Sequence, residues 1–311
     1  MSKSRFGKKR LHQFKLVLRN NWQLYVLILP AVIYVLIFNY FPMYGVQLAF
    51  KDYRSNLGIW GSPWVGLDHF KRFIEYPYFG QMVWNTFSIN LYSLVAGFPL
   101  PIILALLINE IRSARFKKTV QMITYAPHFI STVVVCGMIL LFTAKESGII
   151  NHILSFLGAR RIDFMTQPQW FKTVYVLSGI WQGTGWGSII YLAALSGVSQ
   201  ELAEAARIDG ATRLQIIRHI NIPHILPTII LMLIMNCGSL LSLGFEKVWL
   251  LQNPLNMDAS EIVSTYVYKV GLNGGRYSYS AAIGLFNTIV NFVIVILVNT
   301  IAKRTGETSL W

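Results

Sequence analysis

The apolar residues of this chain fall into six long hydrophobic stretches separated by polar segments. Each stretch is close to the ~20 residues that a helix needs to cross the bilayer core. Because no charged residue interrupts them, we predict an all-α, polytopic membrane protein with six transmembrane helices. The predicted spans are Leu24–Gln47, Met82–Ile108, Val120–Phe142, Thr173–Leu195, Ile225–Leu243 and Ser280–Ile301.

The segments outside these spans suggest how the chain is divided. Seven basic residues lie within 1–23 and precede the first apolar run. That run is long and no small-residue cleavage pattern follows it, so we predict an uncleaved transmembrane helix at 24–47 rather than a signal peptide. We further predict an external loop at 48–81, a transmembrane core at 82–301 and a second tail at 302–311.

The distribution of basic residues predicts the orientation of the spans. Of the 27 Lys and Arg residues, 16 fall in the tails and in the connections after the second and fourth spans, and 11 fall in the longer connections on the other side. Basic residues concentrate on the cytoplasmic side of membrane proteins. We therefore predict that both termini are cytoplasmic, and that the net charge of +14 reflects contact with membrane lipid rather than with nucleic acid.

One predicted cytoplasmic connection, 197–223, has the pattern of two short helices. The first helix can end at Gly210, because glycine adopts the positive φ that terminates many helices. The second can begin with a capping box, for which Thr212 and Gln215 have the right spacing. We predict that Pro223 ends this second helix.

The connection contains Glu204-Ala205-Ala206, three residues, Gly210, nine residues and Ile220-Asn221-Ile222-Pro223. This pattern resembles the motif of the cytoplasmic coupling loop of bacterial ABC importer permeases, which ends in Ile-x-Leu-Pro, and the chain departs from it only by Ile222 in place of Leu. The resemblance implies a type I ABC importer permease fold and a contact with an ATPase subunit. The residues that it implies for this coupling role are Glu204, Ala205, Ala206, Asp209, Gly210, Ile220 and Pro223.

Further segments along the chain are similar to carbohydrate-uptake permeases of the same family. The resemblance implies a carbohydrate cargo, and a narrower branch implies an oligosaccharide delivered by an extracytoplasmic solute-binding protein. It also implies a second permease that forms a heterodimer with this chain, two ATPase subunits that bind ATP and Mg, and a place in the bacterial cytoplasmic (inner) membrane. The matching segments are 64–70, 85–86 and 125–127 for the family, and 39–45, 266–268 and 277–285 for the branch.

The sequence contains no pattern typical of an enzyme. It has no GxxxxGK[ST] loop for nucleotide phosphates, no catalytic triad and no metal-ligand spacing, so we predict neither enzymatic activity nor a cofactor in this chain. Its two cysteines both lie in apolar segments and do not form a disulfide framework. The glycine-rich segment 183–188 lies within a span, where it can serve either close helix packing or ligand contact.

Polar and aromatic residues within the predicted spans are candidates for the substrate path. In lipid such residues face a cavity or hydrogen-bond to another helix, and both interpretations remain open. Aromatic faces and amides suit sugar rings, and the absence of charges from the spans favours a neutral path or recognition of charge by the binding protein. Asn90 and Tyr92 are weaker candidates. The main ones are Trp181, Gln182, Trp186, Asn236, Asn287 and Asn291.

Two other functions are worth testing against the sequence. A stand-alone secondary transporter or channel would need carboxylates or a charged relay within the membrane, and a membrane-embedded enzyme would need a cluster of His, Asp or Glu near the end of a span. The predicted spans contain neither. The predicted external loops are rich in aromatic residues, which form either an interfacial belt or a docking surface for an extracytoplasmic partner.

Overall fold

A computed structural model describes residues 21–304, which form helices and no strand. Most of the two predicted tails, 1–20 and 305–311, lies outside the described residues. With contiguous helical turns joined, the helices are α1 Trp22–Phe50, α2 Gly58–Gly61, α3 Asp68–Ile74, α4 Phe79–Asn109, α5 Ala114–Phe129, α6 Thr132–Thr143, α7 Ile149–Phe156, α8 Pro168–Leu195, α9 Gln200–Ile208, α10 Arg213–Cys237, α11 Phe245–Leu251, α12 Met257–Ser260, α13 Val263–Tyr268 with the π-helical turn Lys269–Asn273 that continues it, and α14 Tyr277–Arg304.

Four of these helices, α1, α4, α10 and α14, are long and apolar enough to cross a membrane. They contain most of the first, second, fifth and sixth predicted spans. Helix α8 covers the fourth predicted span and is long enough at 28 residues, but its glycines and polar side chains make it less apolar. Helices satisfy their own backbone hydrogen bonds, which is why they are the stable form of such segments in lipid.

The third predicted span, Val120–Phe142, is not one continuous helix. Helices α5 and α6 are separated by Ile130 and Ser131 and bend by 96° at this break. The end of α5 tightens into a 3-10 turn that contains Pro127, and Ser131 then caps α6 by accepting a hydrogen bond from the Val134 amide. The local turn chemistry therefore overrides the continuous apolar pattern.

Helix α10 shows that the predicted helix end at Pro223 is wrong. The helix begins at Arg213 and continues without a break to Cys237. Residues Ile217–Asn221 form a π-helical turn, and Pro223 follows it in the first turn of the next α-helical stretch. The π-helical turn changes the hydrogen-bond pattern just before Pro223, since the Ile222 amide donates to the Ile217 carbonyl, and the helix continues through the proline at this irregular turn. The second half of the 197–223 segment is thus continuous with the fifth predicted span.

Helix α1 stands apart from the rest of the chain. Every residue from 21 to 44 is exposed, and only the 3-10 turn Tyr44–Phe50 packs against α14, where Ala49 is buried. The exposed residues are almost all apolar. In this single chain, α1 therefore presents an uncovered apolar surface over most of its length.

The predicted external connections fold back into the bundle instead of forming only a surface. Helices α11 and α13 bury Val248, Leu251 and Val263, and Phe73 of α3 packs against Tyr279 of α14. Part of the aromatic content predicted for an interfacial belt or docking surface is therefore hydrophobic core. Other aromatic residues on these connections, including Trp60 and Trp64, remain exposed.

Helix α8 lies at the centre of the bundle. It packs along α4 and also contacts α5, α10 and the short helix α12. The approach to α5 is close, because a Cβ built on Gly185 would lie 1.9 Å from the Thr124 carbonyl oxygen. Gly187 likewise lies against Pro101 of α4. Close packing by small residues, one of the two roles considered for segment 183–188, is thus the role of Gly185.

Candidate functional site

The first candidate site is the segment from α9 to the start of α10, here called the coupling segment. Helix α9 ends at Ile208, and Gly210 follows two residues later with a φ of +82°. The Gly210 amide donates to the Arg207 carbonyl at 3.1 Å, and the Ala211 amide donates to the Ala206 carbonyl at 2.9 Å. This pair of bonds is a Schellman motif, which satisfies the last carbonyls of the helix and turns the chain sharply.

The next helix begins with the predicted capping box. The Thr212 amide donates to Gln215 Oε1 at 2.7 Å, and the Gln215 amide donates to Thr212 Oγ1 at 3.4 Å. The two motifs follow each other directly, so the turn between α9 and α10 is held by local hydrogen bonds on both sides. The coupling segment is therefore a defined knob rather than a loose loop.

This knob exposes an apolar tip while its base is buried. Leu202, Ile208 and Leu214 are 60%, 86% and 74% exposed. Ile216 is buried, as is Ile225, which belongs to a core cluster with residues of α4 and α8. Large apolar side chains that project from a well-fixed support are typical of a surface that another protein covers.

Most of the predicted coupling residues lie on this knob. A cavity of about 1040 Å³ opens beside it, and Glu204 lines this cavity together with Arg112, Lys117 and Arg207. Glu204, Ala205, Asp209, Gly210 and Pro223 are exposed, and Ala206 and Ile220 are half-buried. The coupling role of all seven residues remains a prediction.

The second candidate site consists of two adjoining cavities that share the same face of α4. The α4–α8 cavity has a volume of about 390 Å³ and the α4–α10 cavity about 290 Å³. Asn90, Ser93, Gly97 and Pro101 of α4 line both. Polar groups within a bundle of spanning helices are costly to maintain unless they meet a partner or a ligand.

Of the six candidates for the substrate path, Gln182 and Asn236 line these cavities. Gln182 faces the α4–α8 cavity and donates from Nε2 to the Ile130 carbonyl at 2.9 Å, so it also satisfies the break between α5 and α6. Asn236 faces the α4–α10 cavity and donates to the Met232 carbonyl of its own helix at 2.7 Å. Asn90, a weaker candidate, lines both cavities.

The other four candidates lie elsewhere. Trp181 borders an apolar groove of about 510 Å³ formed by α6, α7 and α8, and Trp186 stacks on His128 with ring centroids 4.5 Å apart. Asn287 and Asn291 of α14 hydrogen-bond to the chain just after α10. Asn287 Nδ2 donates to the Leu241 carbonyl at 2.7 Å, and Asn291 Oδ1 accepts from the Leu241 amide at 2.9 Å. Both side chains therefore hydrogen-bond within the bundle, to the backbone of the turn after α10 instead of to a second helix.

The sequence did not identify Lys247 as a site residue. It lies on α11, within the predicted external connection, yet it lines the α4–α8 cavity. Buried Val248 and Leu251 hold α11 in the core, and Lys247 Nζ donates to the Tyr175 carbonyl at 3.1 Å. This cavity therefore contains a charged group, which comes from a connection outside the predicted spans. The short apolar run 248–251 was the available signal, because such runs also occur in segments that re-enter a bundle.

Comparison with known proteins agrees with this fold. The family model described as "Binding-protein-dependent transport system inner membrane component" matches residues 97–307. The chain is 44% identical over 306 residues to the polygalacturonan/rhamnogalacturonan transport system permease protein YteP of Bacillus subtilis (strain 168), over 98% of this chain and 95% of the relative. It is also 44% identical over 293 residues to Protein LplB of the same organism, over 94% of this chain and 92% of the relative.

Solved structures match over nearly the same length. A chain of a bacterial alginate ABC transporter, crystallised with an alginate pentasaccharide-bound periplasmic protein, has a TM-score of 0.84 and 41% identity, covering 94% of this chain and 98% of its own. A transporter involved in the import of the acidic polysaccharide alginate has the same TM-score and identity. These matches favour a transporter subunit over a stand-alone carrier or channel. The chain belongs to the family of binding-protein-dependent transport system inner membrane components, the permease subunits of ABC transporters.

Proposed function

We propose that this chain is one permease subunit of an ATP-driven importer that moves an oligosaccharide across the bacterial cytoplasmic membrane by alternating access. The single observation that carries the proposal is the continuity of α10. One helix joins the exposed coupling segment to Met232 and Asn236, which line the α4–α10 cavity. The rise from Arg213 to Asn236 is about 35 Å at 1.5 Å per residue. A displacement of the coupling segment therefore changes the walls of the cavity.

The proposed subunit crosses the membrane six times and has both termini in the cytoplasm. Helices α1, α4, α8, α10 and α14 and the bent pair α5–α6 provide the six crossings. The excess of basic residues in the tails and in the connections after α4 and α8 supports this orientation. It puts the coupling segment in the cytoplasm, where ATP is available.

Two ATPase subunits, which bind ATP and Mg, drive the proposed cycle. Leu202, Ile208 and Leu214 form the apolar surface that an ATPase would cover, and Glu204 adds a charge beside it. Opening and closing of the ATPase pair would push or release this knob. Transport then requires that the ATPases contact the knob differently in the two states of the permease.

A second permease subunit completes the proposed membrane assembly. The apolar surface of α1 from residue 21 to 44 is uncovered in the single chain, and a related subunit would cover part of it. The cargo would arrive from a solute-binding protein at the end of the bundle opposite the coupling segment, as the family description implies. Oligosaccharide cargo is supported by the amides that line the cavities and by the polygalacturonan/rhamnogalacturonan and alginate transporters that the chain resembles.

The contact with the ATPase is tested by co-expression and cross-linking. A single cysteine at position 205, in the variant Ala205→Cys, should cross-link to a copurifying ATPase, and the yield should change when ATP is added. The matched control is Leu272→Cys, which is also exposed but lies in the π-helical turn at the end of α13, away from the coupling segment. Native Cys136 is buried and Cys237 is half-buried, so both are first replaced by Ala or Ser. Failure of every candidate ATPase to copurify or to cross-link would contradict the proposed mechanism.

A further inference from the structure

We infer that Lys247 is a carboxylate-binding residue of the α4–α8 cavity, and that the cargo is therefore an acidic oligosaccharide that contains uronic acid units. The inference rests on the proposed transport function and adds the chemical class of the substrate. It starts from one cation that lines a cavity of about 390 Å³ whose other lining residues are all uncharged.

The ammonium group of Lys247 has donors to spare. An ammonium carries three N–H donors, and among the described residues Nζ makes one hydrogen bond, to the Tyr175 carbonyl at 3.1 Å. It also lies 4.7 Å from the centre of the Tyr175 ring. Lys51, by contrast, is a structural lysine that caps two carbonyls, those of Ile59 and Trp60. Two donors of Lys247 therefore remain for a ligand.

The charge of Lys247 is also uncompensated within residues 21–304. None of the ion pairs in this part of the chain involves it, whereas Lys269 on the same side of the bundle pairs with Glu261 at 2.5 Å. Burial lowers the pKa of Lys247 to about 8, so most of the population still carries the charge at neutral pH. A partly buried cation without a counterion is costly, and an anionic ligand would offset that cost.

The surroundings of this cation suit a sugar acid. Asn90 and Gln182 supply amide groups in the same cavity, and Tyr175 supplies an aromatic face. Gly179 leaves room next to the ammonium, since a Cβ added there would lie 3.6 Å from Nζ. A carboxylate on Nζ, with hydroxyls on the amides, matches the combination of groups that a uronic acid unit presents.

A second lysine lies one helical turn from Tyr175, the residue that Lys247 contacts. Lys172 precedes Tyr175 by three residues on α8, so the two lie on one face and ~4.5 Å apart along the axis. Its Nζ donates to Ser88 Oγ of α4 at 2.7 Å, and none of the ion pairs of the described residues involves it. Lys172 is nearer to the end of α8 that is opposite the coupling segment. Lys172 does not line the α4–α8 cavity, but it is a second cation near the α8 residue that Lys247 contacts, on the side from which the proposed cargo arrives.

The test compares an acidic oligosaccharide with its neutral ester in the assembled importer. Proteoliposomes that contain the permease pair, the ATPases and the binding protein are supplied with tri-galacturonate or with its methyl ester. We expect Lys247→Gln to reduce uptake of the acid about tenfold, in line with the loss of one hydrogen bond to a charged group. Uptake of the ester should stay within about twofold of the wild-type value, because the ester has no carboxylate for Lys247 to bind. For each glycan, uptake by the variant is divided by uptake by the wild type. This ratio removes the contribution of the binding protein, because both assemblies use the same one.

Two further variants separate charge from structure. Lys247→Arg keeps the cation and should retain uptake of the acid. Lys71→Gln removes an exposed lysine of α3 and should change the uptake of neither glycan. Equal loss of both glycans in Lys247→Gln, or no loss of either, overturns the inference. If the wild type carries the acid but not the ester, binding of tri-galacturonate to the purified assembly is measured directly. The inference then requires that this binding weakens with salt in the wild type and is lost in Lys247→Gln. A wild type that carries neither glycan and whose ATPase does not respond to loaded binding protein contradicts the proposed function itself.

Discussion

Gly185 is the residue at which the backbones of α8 and α5 meet. A Cβ at this position would lie 1.9 Å from the Thr124 carbonyl oxygen and 2.4 Å from its carbon, and backbone cannot move aside as a side chain can. Gly183, two residues earlier, has nothing within 4 Å of a built Cβ and lines the α4–α8 cavity. Two neighbouring glycines of one motif therefore serve different purposes.

We predict that Gly185→Ala destabilises the subunit by about 1–3 kcal/mol, the usual cost of overpacking. Gly183→Ala is the matched control and should leave stability unchanged within about 0.5 kcal/mol. Thermal unfolding of the purified protein in detergent, followed by the loss of monodisperse material, measures both. Equal stability of the two variants would show that α5 and α8 can separate without cost.

Side-chain contacts between residues far apart in the sequence were the least predictable features of the chain. The turn at Gly210 and the capping box at Thr212 could be predicted from the sequence, since both motifs are made by residues within one turn of each other. Lys247 could not, because its place in the cavity depends on how α11 packs against α8. The sequence likewise could not show that Asn287 and Asn291 bond to the chain after α10 rather than to a cavity.

At the scale of helices, the long apolar runs predicted that a helix exists better than they predicted where it breaks or ends. Helices α1, α4, α8 and α14 follow their predicted spans with ends that extend by several residues. The break at Ile130 and Ser131 was missed because the residues on both sides are apolar, although Pro127 signals a change of backbone nearby. Pro223 misled the prediction of a helix end, because a helix can continue through a proline where a π-helical turn precedes it, and the sequence did not reveal that turn.

The connection between α9 and α10 provides a test of coupling. We predict that Gly210→Val reduces transport per ATP hydrolysed while leaving insertion and subunit assembly intact. A residue with a Cβ costs roughly 1–2 kcal/mol in the left-handed conformation that Gly210 occupies, so the Schellman turn shifts. Nothing lies within 4 Å of a Cβ built there, so the effect comes from backbone strain and not from crowding.

The matched control for this variant is Gly210→Asn, since asparagine tolerates the left-handed region better than other side chains. It should keep most of the coupling. Uptake of radiolabelled glycan and release of phosphate are measured in the same proteoliposomes, and their ratio is compared. A Gly210→Val importer with the wild-type ratio would remove this turn from the coupling mechanism.

At the scale of the whole subunit, α1 is attached to the bundle only by its last turn. Replacing residues 22–44 by a leucine-alanine helix of the same length should leave the remaining fold intact, because no residue in that range is buried. The same replacement should weaken copurification of the second permease about tenfold or more, because the side chains that a partner would contact are gone. Proteolytic fragments of the purified chain monitor the fold, and quantitative pull-down monitors pairing.

A control for that replacement changes one exposed apolar residue on a different helix. Substituting exposed Leu297 by Ala on α14 tests whether any loss of apolar surface is enough to weaken pairing. Pairing at the wild-type level with the substituted α1 would mean that the second permease does not depend on the side chains of this helix.

The bend between α5 and α6 has a consequence for how the chain is made. The Ile130 carbonyl at the bend receives its hydrogen bond from Gln182, which is 52 residues further along. While the ribosome is still adding those residues, the bend lacks that donor in an environment where unpaired carbonyls are costly. The contact that closes this bend can therefore form only after residue 182 has been synthesised, long after α5 and α6 themselves.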